Sequence, residues 1–270
     1  MSAGARIHLG TQGWDHPAWL GPFYPTGTKP HDFLSLYARA FDTVEIDSTY
    51  HATPLEHVVR GWAERVPAGF RFALKLPQQL TPESPSADAA ELRVFCERAL
   101  LLGDKLGPVL VQLGPEFGPE RWDAVAAFLE RLPAGLRWAI EFRQRGWTGP
   151  KLQELLRRHR IALALVEGRW VRREEMIELA IHPTADFAYV RWMGTKRMID
   201  DSSTIQVSGD SELSLWAMAL AALAARVPTV YGYFSNHFQG HAPASAREMQ
   251  RLIGMSPVPP ERLKSQTSLF

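Results

Sequence analysis

TVEIDSTYHATP, Thr43 to Pro54, compresses a buried strand, a polar strand end and a helix entry into one short stretch. Val44 and Ile46 are β-branched and suit a buried strand, yet Glu45 and Asp47 alternate with them. Carboxylates are seldom buried unless they are paired or in use. A barrel or sheet strand that aims its acids at a site accounts for both facts. Ser48, Thr49, Tyr50 and His51 then make a polar loop, and Pro54 fits the first turn of the next helix.

Outward from this stretch the chain alternates. Strands are expected at IHLGT from Ile7, around Glu45, at FRFALK from Phe70, at PVLVQLG from Pro108, at RWAIEF from Arg137, at IALALVE from Ile161, at FAYVRW from Phe187 and at TVYGYFS from Thr229. Between them lie helical spacings such as Leu55, Val58, Val59, Trp62 and Val66, and helices over 30–41, 86–102, 119–132, 151–159, 172–179, 212–226 and 244–253. Eight strands, each followed by helical material, close most economically as a single-domain TIM-type (β/α)8 barrel with parallel strands. A doubly wound open sheet would offer a Gly-rich phosphate turn after its first strand, and GTQGW is not one. The barrel is expected over 1–254, with 255–270 as a Pro-rich tail on the surface.

Composition bounds the function. Lys plus Arg number 30 against 29 Asp plus Glu, so no overall field draws the chain to nucleic acid or to an anionic membrane. The single cysteine, Cys96, excludes an internal disulfide and reads as a small buried helix residue rather than a reactive thiol. No apolar run approaches the length of a membrane span, and no signal pattern opens the chain, which predicts a cytoplasmic protein.

In a β/α barrel the chemistry comes from the carboxyl ends of the strands. Here those ends offer Gln12 and Trp14, then Glu45, Asp47 and Ser48, then Lys75, Gln112, Glu141 with Arg143, Glu167, Arg191, and Asn236 with His241. Glu45 and Glu141 suit a general acid and base, or else pair with Lys75 and Arg143 as structural ions. Lys75, Arg143 and Arg191 suit the clamping of a phosphate or carboxylate. His241 suits a base or a metal ligand, although Gly-His-Ala-Pro equally suits an imidazole that fixes a loop and a helix entry. Trp14, Trp19, Phe23 and Tyr24 form either a stacking wall or core.

Several strings together, GTQGWDHPAWLGPFYP, FDTVEIDSTYHATP, LGPVLVQLGPEF, AIEFRQRGW, FAYVRWMG and YFSNHFQGHAPASA, resemble the signatures of the domain of unknown function 72, or YecE-like, family. The resemblance runs over nearly the whole chain and implies a TIM-type barrel without supplying an activity. It highlights Trp14, Glu45, Lys75, Gln112, Glu141, Arg143, Arg191, Asn236 and His241. The chain departs from the family pattern at Gln12, Asp47, Glu167 and Met193, where Ser, Asn, Asp and His are usual.

Three functions compete. The first is an enzyme of hydrolase or lyase type acting on a small anionic substrate at the rim. In it Glu45, Glu141 and His241 are catalytic, and Trp14, Asp47, Lys75, Gln112, Arg143, Arg191 and Asn236 bind substrate. The second is a metal-assisted phosphodiesterase or nucleic-acid-processing barrel resembling endonuclease IV, with a basic rim from Arg169, Arg172, Arg173, Lys196 and Arg197 and divalent-metal ligands among Glu45, Glu141, Glu167 and His241. No zinc-type spacing occurs; the cofactor is left open, with a divalent Mg or Mn on carboxylates and a histidine from separate strands as the one candidate and none strongly indicated. The third is a noncatalytic ligand-binding barrel with the aromatic loop as its lid.

Overall fold

A computed structural model describes residues 4–84, 88–195 and 199–264. Its strands are β1 (Arg6–Thr11), β2 (Thr43–Ile46), β3 (Arg71–Lys75), β4 (Leu106–Gln112), β5 (Trp138–Glu141), β6 (Ala162–Gly168), β7 (Phe187–Gly194) and β8 (Thr229–Phe234). The longer helices are α1 (Phe33–Ala40), α2 (Glu56–Glu64), α3 (Ala89–Leu100), α4 (Trp122–Arg131), α5 (Pro150–His159), α6 (Arg173–Leu179) and α7 (Asp210–Ala224). The short α8 (Asn236–Gln239), then α9 (Ala242–Leu252) and α10 (Pro260–Lys264) follow. Every ladder is parallel, in the order β1-β8-β7-β6-β5-β4-β3-β2, so the eight strands form a nearly closed barrel with helices between them.

Two helices expected from their prolines begin as tight 3-10 turns, Pro30–Asp32 and Pro119–Arg121, before the α-helix proper. Proline at the first position costs no hydrogen bond there, which is why both sequences start this way. The start expected for α3 at residue 86 lies outside the described residues; Asp88 caps the helix by accepting from the amide of Ala90. Leu263 of α10 is buried, and α10 touches α1.

Residue size fills the barrel. Its interior holds Tyr189, Tyr231, Tyr233 and Phe187 from β7 and β8, opposed by Ala73, Ala139, Ala162 and Ala164 from β3, β5 and β6. Large residues on one side packed against alanines on the other fill the lumen with side chains. The opposite strand faces, such as Leu9, Ile46, Leu74, Val109, Val111 and Ile140, join the helices in a second, larger core. Trp19, Phe23 and Tyr24 are buried in that core, with Tyr24 stacked on Phe33 at 4.5 Å, so these three rings are packing and not a wall facing a ligand. Cys96 is buried, and burial pushes its thiol up to about 11, as an inert helix residue requires.

The seam between β1 and β2 carries a single bridge, Gln12 to Glu45. A phenol spans the rest of it. The amide of Thr11 donates to the Tyr37 hydroxyl at 2.8 Å, and that hydroxyl donates to the carbonyl of Thr43 at 3.0 Å. Gly10 permits the approach, because a Cβ there would lie 2.1 Å from the Thr43 carbonyl oxygen. Tyr37→Phe is therefore expected to strand two buried backbone groups and to cost about 1–3 kcal/mol, read from the urea midpoint. An unchanged midpoint would show the seam to be held elsewhere.

Among the described residues no helix is long and apolar enough to cross a membrane.

Candidate functional site at the C-terminal rim

Strand alternation sends every second side chain into the barrel, and near the carboxyl ends those positions turn from apolar to charged. Glu45, Lys75, Gln112, Glu141 and Arg191 meet there, with Asp47 and Arg143 one step further out. The ladder pairs Gln112 with Glu141, which sets the amide beside the carboxylate.

Arg191 is the hub. Its guanidinium is 1% exposed and bridges two buried acids, Nη1 to Glu141 Oε2 at 2.5 Å and Nη2 to Glu45 Oε1 at 2.7 Å. The other oxygen of Glu141 accepts from Arg143 Nε at 2.5 Å, and the other oxygen of Glu45 accepts from the Tyr189 hydroxyl at 2.5 Å. Gln112 Oε1 receives both guanidiniums, Arg143 at 2.9 Å and Arg191 at 3.2 Å. Burial opposes the charge of Arg191, and Glu141 with Glu45 more than offsets it, so the group is held well above its ordinary value.

The two acids diverge. Burial works against ionised Glu141, but Arg191 and then Arg143 outweigh it and bring the carboxyl down to about 2. Around Glu45 burial wins over Arg191, and Asp47 adds to it, so that carboxyl is raised toward its neutral form. Neither faces solvent.

The accessible edge consists of other groups. The Asp47 side chain is 44% exposed and its Oδ1 lies 3.3 Å from Lys75 Nζ and 3.8 Å from Arg191 Nη2. Lys75 keeps 8% of its side chain open and sits 4.3 Å above the Tyr50 ring. Burial lowers its ammonium below the usual lysine value, and the neighbouring Arg191 lowers it further. Arg143 stacks over Trp170 at 4.0 Å. Beside this edge a cleft of about 350 Å³ is lined by Tyr50, His51, Gln78, Gln79, Glu83 and Ser84. A larger hollow of about 560 Å³, between Pro25, Thr28, Lys29 and Arg39, flanks α1 and holds none of the strand-end residues.

The remaining sequence candidates fall outside this constellation. Asn236 accepts from the Trp19 indole at 3.1 Å and from the amide of Ala242 at 3.0 Å, tying the first loop to the start of α9. His241 precedes that helix, donates from Nδ1 to the carbonyl of Ser202 at 2.8 Å and lies edge-on to Trp19; burial holds its imidazole below the usual value. This is the loop-fixing role that the Gly-His-Ala-Pro context allows. Trp14 is half-buried and meets Trp62 edge-to-face. Glu167 points out of the barrel, where Arg173 binds it through both oxygens and the Trp216 indole donates to it at 2.6 Å. Arg173 is thus engaged within the fold, while Lys196 and Arg197 lie outside the described residues.

Sequence reasoning passed over Tyr189, Tyr50 and Trp170. Tyr189 was within reach of a period-two reading, since it stands two residues before Arg191 on the same strand. Among the described residues no group of three or more His, Cys, Asp or Glu is arranged to hold a metal ion. The three acids and one imidazole expected to supply metal ligands do not converge, since Glu167 and His241 lie apart from Glu45 and Glu141.

A parallel eight-stranded barrel with a charged cluster where its strands end defines a (β/α)8-barrel protein with a candidate site at the C-terminal rim. The chain belongs to the family described as "Protein of unknown function DUF72", which it matches over residues 8–267. It is 30% identical over 138 residues to UPF0759 protein YecE of Escherichia coli K12, a match covering 51% of this chain and 48% of that protein. It is 28% identical over 157 residues to UPF0759 protein YunF of Bacillus subtilis, covering 55% and 54%. These matches span about half the length of the curated relatives. Among solved structures, a DUF72 family protein from Thermotoga maritima superposes with a TM-score of 0.77 at 23% identity, over 92% of this chain and 99% of that one. One from Enterococcus faecalis gives 0.76 at 20%, over 93% and 97%. Both likenesses concern the fold.

Proposed function

We propose that this protein is an enzyme that binds a small phosphorylated or carboxylated substrate at the C-terminal rim, with Arg143 holding the anion, Lys75 facing the substrate beside it and Asp47 moving the proton. The observation that carries this reading is the half-exposed carboxylate of Asp47 set 3.3 Å from an almost buried ammonium, directly above a sealed charge network. Three cations, Lys75, Arg143 and Arg191, stand against three carboxylates, Glu45, Asp47 and Glu141. Arg143 and Lys75 are the cations of this set that reach the rim, and charge-assisted hydrogen bonding from a guanidinium there favours an anion. Glu141 has no oxygen free for proton exchange, so its role is to position Arg143 and Arg191. Glu45 likewise acts through Arg191 and Tyr189.

The test is a thermal-shift screen of phosphorylated metabolites, sugar acids, nucleotides and divalent metals, followed by assay of every stabilising compound for turnover. A ligand at about 100 times its Kd stabilises by about 2.7 kcal/mol, and this gain is expected to vanish in Arg143→Ala. Turnover is expected to fall in Asp47→Asn with the ligand shift retained. Stabilisation by metal or oligonucleotide alone would overturn the reading, and a ligand recovered chemically unchanged would make the protein a binding barrel.

A further inference from the structure

We propose that Lys75 is a covalent nucleophile that forms an imine with a small carbonyl compound carrying a carboxylate or phosphate. The inference rests on the rim reading above and names its substrate class. A lysine that serves only as a point charge is best left hydrated, since the ammonium is strongly solvated and its stem is flexible. Lys75 is the opposite case. It ends β3 inside the barrel, its stem is buried, and only a small part of the side chain reaches the rim. The Tyr50 ring lies under the amine at 4.3 Å and Asp47 stands at 3.3 Å, so the amine has one face against an aromatic wall and one beside a carboxylate.

Two further features fit nucleophilic use. A second, permanently charged cation, Arg191, bears on the same space, and a lysine desolvated beside another cation is one of the recognised ways to free an amine at neutral pH. Asp47 is the most exposed of the three carboxylates and the one nearest to Nζ. It is therefore placed to shuttle the protons that imine formation demands. Arg143, held flat between Gln112, Glu141 and the Trp170 face, is left to receive the anionic end of the substrate.

The step balances without any further reactant. Asp47 takes one proton from the ammonium, and the freed lone pair of Nζ attacks the carbonyl carbon. The carbonyl electron pair moves to oxygen, which takes a second proton from the nitrogen. Asp47 returns its proton to that hydroxyl, which leaves as water while nitrogen and carbon form the double bond. The product is a protonated imine, with one hydrogen left on nitrogen and the Asp47 carboxylate beside it. Such an imine withdraws electrons from the neighbouring carbon, the chemistry used to break a C–H or C–C bond there.

Reductive trapping tests this. The full-length chain is incubated with pyruvate, glyoxylate or dihydroxyacetone phosphate, reduced with borohydride, and examined by intact mass and peptide mapping. The expected result is one adduct per chain, located at Lys75, with at least a tenfold preference over Lys29, Lys105, Lys151, Lys196 and Lys264. Lys75→Arg keeps the charge and is expected to abolish the adduct while retaining the anion-dependent thermal shift. Asp47→Asn is expected to slow trapping at least tenfold. Melting curves of both variants establish that they are folded. Adducts spread evenly over all lysines, or an undiminished adduct in Lys75→Arg, would overturn the proposal. If the anion shift is present and depends on Arg143 but no adduct forms, the imine is wrong and the anion site stands. An adduct at Lys75 that is indifferent to Arg143→Ala would sustain the imine and remove the anion site.

Discussion

Replacement of Arg191 by alanine is expected to lower the stability of the barrel by about 3–5 kcal/mol at neutral pH, the range for removing one partner of a buried ionic cluster. The guanidinium satisfies one oxygen of Glu45 and one of Glu141, and all three side chains are sealed from water. Without it Glu45 keeps no guanidinium and Glu141 only that of Arg143, so the freed carboxylate oxygens must take up protons or draw in solvent. Equilibrium denaturation in urea measures the loss. Arg143→Ala leaves the Arg191 bridge in place and is expected to cost much less, so the two variants separate a residue that holds the site together from one that meets the ligand. A loss under about 1 kcal/mol for Arg191→Ala would mean that the acids are already neutral and that the network is not ionic.

The second large effect concerns acid. The folded carboxyl of Glu141 lies near 2, against about 4.3 for an unperturbed glutamate in the unfolded chain. A depressed acid stabilises the fold above its unfolded value and loses that stabilisation as pH falls toward its folded value. Glu141 therefore contributes about 3 kcal/mol above pH ~4.5, lost between there and pH ~2. Glu45 acts in the opposite sense, because its raised carboxyl makes the fold gain stability as pH falls through its folded value. The wild-type profile blends the two. The difference between wild type and Glu141→Gln isolates one, and it is expected to shrink steadily from pH ~4.5 down to pH ~2. A gap independent of pH would show that Glu141 acts through its shape and hydrogen bonds rather than its charge.

Much of this arrangement was legible before any coordinates. Val44 and Ile46 alternating with Glu45 and Asp47 announces a strand with one apolar and one working face, and β2 is that strand. Glu45, Asp47, Lys75, Gln112, Glu141, Arg143 and Arg191 all came from the rule that barrel chemistry sits at strand ends, and the fold brings these seven together. Glu167 escaped the same rule for a physical reason. IALALVE is apolar on both faces, so period two is invisible within it, and nothing in the string tells that Ala162 and Ala164 face the lumen while Leu163, Leu165 and Glu167 face the helices. Asn236 and His241 were read for their chemistry, but their partners, Trp19 and Ser202, are distant in sequence. Who pays for proton exchange among the acids was equally hidden, since the division between Glu45 and Glu141 depends on one guanidinium more around Glu141.

The phenol at the seam changes how the ring comes into being. Seven strand junctions are backbone ladders, whereas the eighth has one backbone bridge, with the amide of Gly13 donating to the carbonyl of Glu45 at 2.8 Å, and beside it a phenol carried on α1. An arc of eight strands with α1 undocked still has two raw edges, open to pairing with another chain. Packing of α1 against the seam therefore helps to keep those edges covered. The same seam holds Glu45, whose backbone bridges Gln12, so the contact that covers the last strand edge also fixes one of the rim acids in place.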